Sequence, residues 1–336
     1  MMIKEAIYKL VNGEDLPFDM AESVMDEIMN GEATPAQIAS FITAMRMKGE
    51  SIEEITACAK SMRKHGTKLK SDKDVLEIVG TGGDGANTFN ISTIASLVIS
   101  AAGIPVAKHG NRSVSSKCGS ADVLEALGVN IDIPVEKSEN ILKAIGICFM
   151  FAPRYHSSMK HAAPVRKELG IRTVFNILGP LTSPAAAQYQ LLGVYDENLV
   201  EPLARVLANL GVKRAMVVHG HDGLDEITLT SSSTVCEVNN GMLNSFFLDP
   251  KQFGFHYCKP EDLVGGNPAE NAEIARRILN GEKGPRREVI LLNAAVCLYM
   301  VYNNVTLREC VRIAEDVIDS KKAMEQLHKF IELSNA

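Results

Sequence analysis

Short apolar runs alternate with glycine-rich loops and helical patterns from Val75 onward. The chain reads VLEIVG, TGGDGANTFN and ISTIASLVISAAG, and then IPVAK, HGNRSVSSKCGS and ADVLEALG. Later, AMVVHGHDGLDE repeats the step from strand to loop. Strands that alternate with helices are joined by right-handed crossovers in a mainly parallel sheet, and ligands bind beyond the carboxyl ends of such strands. The sequence therefore predicts an α/β fold with its chemistry in these loops.

The first 66 residues carry a different pattern, that of helices with clear ends. Thr34 precedes one helical segment as an N-cap, where its residue type is favoured. Ser51 and Glu54 have the spacing of a capping box. We predict a small N-terminal helical domain over residues 1–70 and a larger α/β domain with a mainly parallel central sheet over residues 71–336.

Charge and cysteine usage argue against several classes of protein. Thirty-five Lys and Arg against 41 Asp and Glu give a net charge of -6, whereas non-specific duplex binding needs a basic excess. The seven cysteines are odd in number, scattered and never spaced as C-x-x-C, so neither a disulfide framework nor a cysteine-based zinc site is indicated. No apolar signal follows MMIKEAIYKL, and the longest apolar stretch, from Val289, contains Asn293 and is too short for a bilayer. We expect a cytoplasmic protein that binds neither nucleic acid nor membrane.

The loop that begins at Gly80 reads GTGGDG, which formally satisfies the dinucleotide-binding pattern G-x-G-x-x-G. Its context does not fit, because the next helix starts only near Asn90 and no acidic residue stands near positions 100–105. A Walker A loop is excluded because Ala86 replaces the required lysine. Backbone amides that lead into a helix suit a phosphate or pyrophosphate, and Asp84 favours a cation or a sugar hydroxyl. A glycine-rich turn with ordinary capping is the alternative.

Two further loops follow strands and carry charge. Residues 108–117, KHGNRSVSSK, gather three cations and three serine hydroxyls, which match the charge of a polyphosphate at a helix entrance. In HGHDGLDE, Asp225 and Glu226 form a candidate site for a hard cation, provided that phosphates and waters complete the shell. The spacing H-E-x-x-H of zinc enzymes does not occur there. Solvated turn residues are the alternative for both loops.

A basic segment, FAPRYHSSMKHAAPVRKELGIRT, contains His156, His161, Arg166 and Arg172. Each of these residues alone is typical of surface or packing. An arginine is nevertheless the natural partner of a planar carboxylate, because its fork makes paired, charge-assisted hydrogen bonds.

Five motifs occur in order: GTGGDGANTFNIST, KHGNRSVSSKCGSADVLEALG, FAPRYHSSMKHAAPVRKELGIRTVFNILGPLTSP, VHGHDGLDE and GNPAEN. Together they resemble the anthranilate phosphoribosyltransferase family, which catalyses the second step from chorismate to tryptophan. The resemblance implies a helical domain joined to an α/β domain of the nucleoside phosphorylase type, a homodimer through the helical part, and PRPP and magnesium in the cleft. Part of residues 160–190 is expected to pack with the helical domain. The chain departs from the common pattern at Cys118, where serine is usual, and at Ser157 and Ser158, where many relatives have Pro-Ala.

The resemblance also assigns residues to each ligand. PRPP would be surrounded by Gly80, Gly83, Asp84, Thr88, Asn90, Ile91, Ser92, Thr93, Lys108, His109, Gly110, Asn111, Arg112, Ser113, Val114, Ser115, Ser116 and Ser120. Magnesium would be held by Ser92, Asp225 and Glu226. Anthranilate would contact Gly80, Asn111 and Arg166, with Arg166 as the partner of its carboxylate.

The implied reaction moves the 5-phosphoribosyl group of PRPP to the amine of anthranilate and releases pyrophosphate. Negative charge gathers on the leaving group and positive charge on the ribose, so magnesium and the basic loop are expected to stabilise the transition state. The aromatic amine is already neutral at neutral pH. We therefore assign no catalytic base, and His109 is the one candidate.

Two other functions stay open from the sequence. A pyrimidine nucleoside phosphorylase shares the fold, but GTGGDGANTFNIST and the pair Asp225 and Glu226 argue against it. A non-catalytic relative that binds nucleic acid through the same groove would be expected to carry a basic face, which a net charge of -6 does not favour.

Overall fold

The computed structural model describes residues 1–113 and 117–336. Its first part consists of four helices: α1 (Ile3–Val11), α2 (Phe18–Met29), α3 (Pro35–Lys48) and α4 (Ile52–His65). Thr34 caps α3 and Ser51 caps α4, and each forms a complete capping box with the third residue of its helix. The predicted N-cap and the predicted capping box are therefore confirmed.

A seven-stranded sheet forms the centre of the rest of the described chain. Its strands are β1 (Leu76–Gly80), β2 (Val106–Gly110), β3 (Ile147–Phe151), β4 (Tyr189–Gly193), β5 (Arg214–Gly220), β6 (Ser233–Asn239) and β7 (Met242–Leu248). The spatial order is β3-β2-β1-β4-β5-β6-β7. Strands β1 to β5 pair in parallel, as predicted, and β6 and β7 add an antiparallel hairpin at one edge.

The helices of the α/β part follow the strands along the chain. They are α5 (Ile91–Ala101), α6 (Ser120–Leu127), α7 (Val135–Ile145), α8 (Ala152–Tyr155), α9 (Ala163–Leu169), α10 (Phe175–Leu181), α11 (Val200–Asn209), α12 (Pro268–Leu279), α13 (Pro285–Val301), α14 (Leu307–Asp319) and α15 (Lys322–Asn335). Short 3-10 helices occur at Ser157–His161, Glu197–Leu199, Pro250–Phe253 and Pro260–Leu263. Within the described residues, no helix is long and apolar enough to cross a membrane.

Two main apolar cores cover the two faces of the sheet. Leu76 and Ile78 of β1 pack into the core formed with α5 and with α12 to α15. The other core joins α1 to α4 with α9, α10 and α11, and it includes Val165, Phe175 and Leu192. Residues that alternate along a strand point to opposite faces. Strands β2 and β3 therefore pack into the first core on one face and, through Ala107, Cys148 and Met150, into a smaller third cluster on the other.

Candidate active site

The acidic loop after β5 lies directly on the ends of β1 and β4. Gly80 and Gly193 end these two strands side by side in the parallel register. A Cβ atom at Gly193 would overlap the backbone carbonyl of Asp225, and one at Gly80 would overlap the Asp225 carboxylate. The carboxylate accepts a hydrogen bond from the Gly82 backbone N–H at 2.6 Å. The two glycines thus bring the acidic pair against the glycine-rich loop.

Ser92 lies between an acid and a buried cation at the start of α5. Its backbone N–H donates to Glu226 Oε1 at 3.2 Å, and its hydroxyl accepts from Lys108 Nζ at 3.3 Å. Lys108 also donates to the carbonyl of Ile78 at 2.8 Å, which fixes the ammonium beside the strand. The structure therefore joins Ser92, Lys108 and Glu226, which come from three separate sequence motifs.

Burial makes the charged forms of these acids unfavourable. It raises the pKa of Asp225 to about 7, and nearby Asp84 acts in the same direction. Burial and the adjacent Asp225 raise the pKa of Glu226 to about 8. Burial lowers the pKa of Lys108, against the attraction of Glu226. Shifts of this kind mark a place where the protein compensates little of the negative charge it gathers, as functional sites often do.

The oxygen donors of this cluster suit magnesium. Within residues 1–113 and 117–336, no group of three or more His, Cys, Asp and Glu side chains is arranged to hold a metal ion. Mg²⁺, however, is usually bound by one or two carboxylates together with waters and substrate phosphates. Asp225, Glu226 and the Ser92 hydroxyl offer that kind of donor, and a dication beside them would favour the charged carboxylates. The residues present fit an ion that shares its shell with a ligand phosphate.

Arg172 donates a hydrogen bond to the backbone of the glycine-rich loop. The Arg172 guanidinium donates to the carbonyl of Gly83 and lies over the ring of Tyr195, 4.0 Å from its centroid. Asp84 accepts the backbone N–H of Ala86 at 3.1 Å within the loop. The sequence places Arg172 in a basic segment and predicts no ligand for it. Its place shortly after Arg166, the residue predicted to bind anthranilate, is the sequence signal that indicates a role near the site.

The residues at the start of α5 serve different structural purposes. Thr88 forms a β-bridge with Val264. The side chains of Ile91 and Thr93 are buried, so a ligand there would meet backbone groups. Asn90 donates from Nδ2 to the carbonyl of Cys118 at 3.0 Å and so ties α5 to the second loop.

The second loop distributes its cations in three directions. Lys108 is buried beside the acidic pair, Lys117 is exposed, and Arg112 is paired with α6. The Arg112 guanidinium donates to Asp122 at 3.2 Å and to Glu125 at 2.9 Å. In the described residues the three cations therefore point in different directions, and their common contact with a polyphosphate stays a prediction.

The other residues expected at PRPP in this region surround that pairing. Gly110 ends β2, Ser120 donates from its hydroxyl to the carbonyl of Asn111 at 3.3 Å, and the backbone N–H of Ser113 donates to Asp122 at 3.0 Å. Val114, Ser115 and Ser116 lie outside the described residues.

His109 is a buried, neutral ring. Burial and the neighbouring His156 lower its pKa to about 3, and the two ring centroids are 5.1 Å apart. Within the described structure its Nε2 atom has no hydrogen-bond partner. A group with so low a pKa takes up a proton poorly at neutral pH, so the geometry offers an acceptor of hydrogen bonds more than a general base.

Arg166 lies on α9, apart from the acidic cluster. Its half-buried guanidinium stands over the ring of Phe175, 5.2 Å from the centroid, and burial lowers its pKa. Among the described residues, no carboxylate forms an ion pair with it. The structure shows no hydrogen bond that joins Arg166 to Gly80 or Asn111 in this part of the chain. A charge held in this way is available to an external anion.

Both parts of this chain match families of known proteins. Residues 4–66 match the glycosyl transferase family, helical bundle domain, and residues 72–324 match the glycosyl transferase family, a/b domain. The anthranilate phosphoribosyltransferase of Ruminiclostridium cellulolyticum is 67% identical over 335 residues, which cover 100% of this chain and 98% of the relative.

Solved structures agree over the same length. The anthranilate phosphoribosyltransferase of Thermus thermophilus superposes with a TM-score of 0.94 at 42% identity, covering 98% of this chain and 99% of that one. The enzyme of Saccharomyces cerevisiae in complex with PRPP and Mg superposes with a TM-score of 0.91 at 30% identity, covering 99% and 98%. With this identity over its whole length, the chain belongs to the anthranilate phosphoribosyltransferase family of glycosyl transferases.

Proposed function

We propose that this chain is a magnesium-dependent anthranilate phosphoribosyltransferase. It would transfer the 5-phosphoribosyl group of PRPP to the amine of anthranilate and give N-(5-phosphoribosyl)anthranilate and pyrophosphate, the second step from chorismate to tryptophan. The observation that carries the proposal is the cluster of Ser92, Lys108, Asp225 and Glu226 at the start of α5, in a chain that is 67% identical to a member of that family.

PRPP is assigned to the loops after β1 and β2. The backbone amides from Gly80 to Asp84 and the first turn of α5 would receive the phosphates, because backbone N–H groups at a helix start favour anions. Ser92, Asp225 and Glu226 would hold magnesium, which when bound neutralises charge on the leaving pyrophosphate. Lys108 would add a fixed positive charge, held in place by its bonds to Ile78 and Ser92.

Anthranilate is assigned to the side of the cleft formed by α9. The Arg166 guanidinium would pair with its carboxylate, and Gly80 and Asn111 would line the path to the ribose. The neutral amine would attack the anomeric carbon directly, so the protein contributes mainly position and electrostatic stabilisation. The low pKa of His109 supports a mechanism without a strong general base.

We also propose a cytoplasmic homodimer that forms through the helical part. Tyr8 and Val11 of α1 and Met47 of α3 are exposed, Met47 by 84%, and α1 packs against α3. Large apolar side chains that are exposed together favour contact with a second surface. The division into a helical domain over residues 1–70 and an α/β domain over residues 71–336 belongs to the same proposal, with α9 and α10 packed on the helical side.

The reaction is tested by following anthranilate fluorescence with purified protein, PRPP and magnesium, and by leaving out each component in turn. The proposal expects anthranilate to be consumed only when all components are present, with a product whose mass is that of phosphoribosylanthranilate. The sequence contains no tryptophan, so the protein adds little background. No consumption by folded protein, together with phosphorolysis of thymidine or uridine, would favour a nucleoside phosphorylase instead. A salt-dependent DNA gel shift without turnover would favour the nucleic-acid-binding alternative.

A further inference from the structure

The side chain of Asn271 is enclosed near the start of α12, and its amide group is used at both ends. It is 1% exposed. Its Oδ1 atom accepts the backbone N–H of Gly266 at 2.7 Å, and its Nδ2 atom donates to Asn90 Oδ1 at 3.0 Å. Asn90 then donates from Nδ2 to the carbonyl of Cys118 at 3.0 Å. This chain of three hydrogen bonds joins the segment before α12, the start of α5 and the loop before α6.

The bond from Asn271 changes what Asn90 does for α5. Asparagine is among the best N-cap residues, because its side-chain oxygen accepts an N–H of the first helical turn. Asn90 stands at the N-cap of α5, yet within the described residues its side chain makes no cap hydrogen bond. The oxygen that would cap the helix accepts the Asn271 amide instead. The first two amides of the helix already donate, to the Phe89 carbonyl and to Glu226. Among the described residues, the Thr93 N–H is thereby left for another acceptor.

Backbone pairing holds Asn271 in register with this helix start. The N–H of Phe89 donates to the carbonyl of Leu263 at 3.1 Å, and the N–H of Gly265 donates to the carbonyl of Asn87 at 2.9 Å. The segment before α12 is therefore attached to the chain that leads into α5. These backbone bonds limit the movement of the Asn271 side chain relative to α5. Consecutive hydrogen bonds also strengthen one another at low dielectric.

We propose that Asn271 is a positioning residue for PRPP: it keeps the Asn90 side chain away from the start of α5 and ties that helix to the loop before α6. Asn271 itself does not touch the substrate. It belongs to the motif GNPAEN, whose role the sequence left open. The inference rests on the proposed function, since it assumes that PRPP phosphates meet the start of α5.

Removing the side chain tests this role through the two substrates separately. In Asn271→Ala, Asn90 is free to cap α5 and to lose its hold on the Cys118 carbonyl, so the KM for PRPP is expected to rise about tenfold, as the loss of one or two hydrogen bonds implies. The KM for anthranilate is expected to stay within about twofold, because Arg166 is not connected to this chain of bonds. A PRPP KM within about twofold of the original would overturn the inference.

Asn267→Ala is the matched control on the same helix. Asn267 caps α12 by accepting the N–H of Glu270 at 3.1 Å, but it makes no bond to Asn90 in the described structure. Its removal is expected to lower the melting temperature and to leave both KM values unchanged. If Asn267→Ala raised the PRPP KM as much as Asn271→Ala, a general loosening of α12 would explain both, and the inference would be wrong.

The coupling to Asn90 is tested with a double mutant. If Asn271 acts through Asn90, adding Asn271→Ala to Asn90→Ala changes the PRPP KM little further, whereas independent effects multiply. Multiplied effects would count against the inference. Should Asn271→Ala fold poorly, Asn271→Leu tests the same role, because it fills a similar volume and also removes the amide donor to Asn90.

The outcome is separated from that of the proposed function by a binding measurement. PRPP with magnesium is added to each folded protein, and the rise in melting temperature is recorded. A smaller rise in Asn271→Ala than in the original chain supports the inference even if anthranilate is not consumed, and an equal rise contradicts it. Absence of turnover in the original chain counts only against the proposed function.

Discussion

The two sides of the candidate cleft hold their charges in opposite ways. Near the ends of β1, β2 and β5, Asp225, Glu226 and Lys108 are enclosed and hydrogen-bonded to neighbouring backbone or hydroxyl groups, and burial shifts the pKa of each. On α9, the Arg166 guanidinium stands over an aromatic ring with no acidic partner among the described residues. On the first side, burial disfavours the charged form of every member of a hydrogen-bonded cluster. On the second side, a single arginine carries the charge. This difference supports the proposed assignment of a cation and phosphates to the first side and of a carboxylate to the second.

The largest effect is expected from neutralising the acidic pair. Asp225→Asn combined with Glu226→Gln should lower kcat/KM by about a hundredfold or more, the scale of losing a main electrostatic stabiliser of the transition state. The melting temperature should be unchanged or higher, because burial and mutual repulsion disfavour the two carboxylate charges, whereas Asn and Gln keep acceptors for the Gly82 and Ser92 amides. Magnesium titrations of the initial rate and thermal unfolding measure the two effects.

Asp222→Asn is the control in the same loop. Asp222 accepts the hydroxyl of Thr228 at 2.6 Å and that of Thr230, and so stabilises the turn. Its change should cost about 1–3 kcal/mol of stability, as for two hydrogen bonds, and leave the magnesium titration as it was. An unchanged magnesium titration in the double variant, or an equal shift in Asp222→Asn, would place the metal elsewhere.

The next effect concerns the free charge on α9. Arg166→Ala should raise the KM for anthranilate by about ten- to a hundredfold, since a hydrogen bond to a charged group contributes about 1.5–3 kcal/mol. The PRPP KM should change much less. Lys167→Ala, an exposed cation next along the same helix, is the control and should affect neither. Equal changes of both KM values in Arg166→Ala would remove the contrast between the two sides.

Local signals explain which parts of the fold could be predicted. The caps at Thr34 and Ser51 involve residues three apart, so their chemistry is readable in sequence. The hairpin of β6 and β7 was missed although Asn240 and Gly241 stand at its turn, both with positive φ. Asn-Gly between two β-type runs is a strong hairpin signal. Its place at the edge of the sheet depends on pairing with β5, which no local pattern determines.

The site divides in the same way. The loops after β1, β2 and β5 could be found because parallel strands bring their carboxyl ends together. Partners within the site could not, because they depend on contacts between distant residues. Asn90 and Asn271 are 181 positions apart, and Gly82 and Asp225 are 143 apart. The pairing of Arg112 with Asp122 and Glu125 could not be predicted for another reason. The sequence of a loop does not show whether its arginine binds a ligand or pairs with acids of the next helix.

Burial of the Glu77 carboxyl, where no metal is expected, should lower the free energy of unfolding at neutral pH. Glu77 lies on β1, fully buried, and burial raises its pKa from 4.5 to about 7. Between these values the folded chain binds more protons at this group than the unfolded chain, so the free energy of unfolding falls as pH rises through that range. Glu77→Gln still accepts the His109 backbone N–H and removes this slope. The melting temperature of Glu77→Gln, relative to that of the original chain, should rise as pH increases from about 4.5 to 7 and should stay higher above pH 7.

Melting curves of Glu77→Gln and of the original chain, recorded from about pH 4 to 9, measure this difference, because that range spans both pKa values. Glu282→Gln serves as the control, because Glu282 is paired with Arg277 at the surface, and surface pairs contribute about 0–1 kcal/mol. Curves for Glu77→Gln and the original chain that stay parallel across the range would show that the buried carboxyl does not carry this cost.

The smallest effect is expected at Cys118, where the family resemblance predicts a serine beside the loops proposed for PRPP. Asn90 is bound by the backbone carbonyl of Cys118, not by its thiol, so Cys118→Ser keeps that bond. A serine hydroxyl can also replace the thiol in its contacts with Asn271 and with the carbonyl of Gly119. The PRPP KM should therefore stay within about twofold, in contrast to Asn271→Ala, which removes a donor from the same chain of bonds. A tenfold change, on the order of one lost hydrogen bond, would mean that the thiol itself sets the position of the loop before α6, and the sharp division between structural and ligand-facing groups on this side of the cleft would no longer hold.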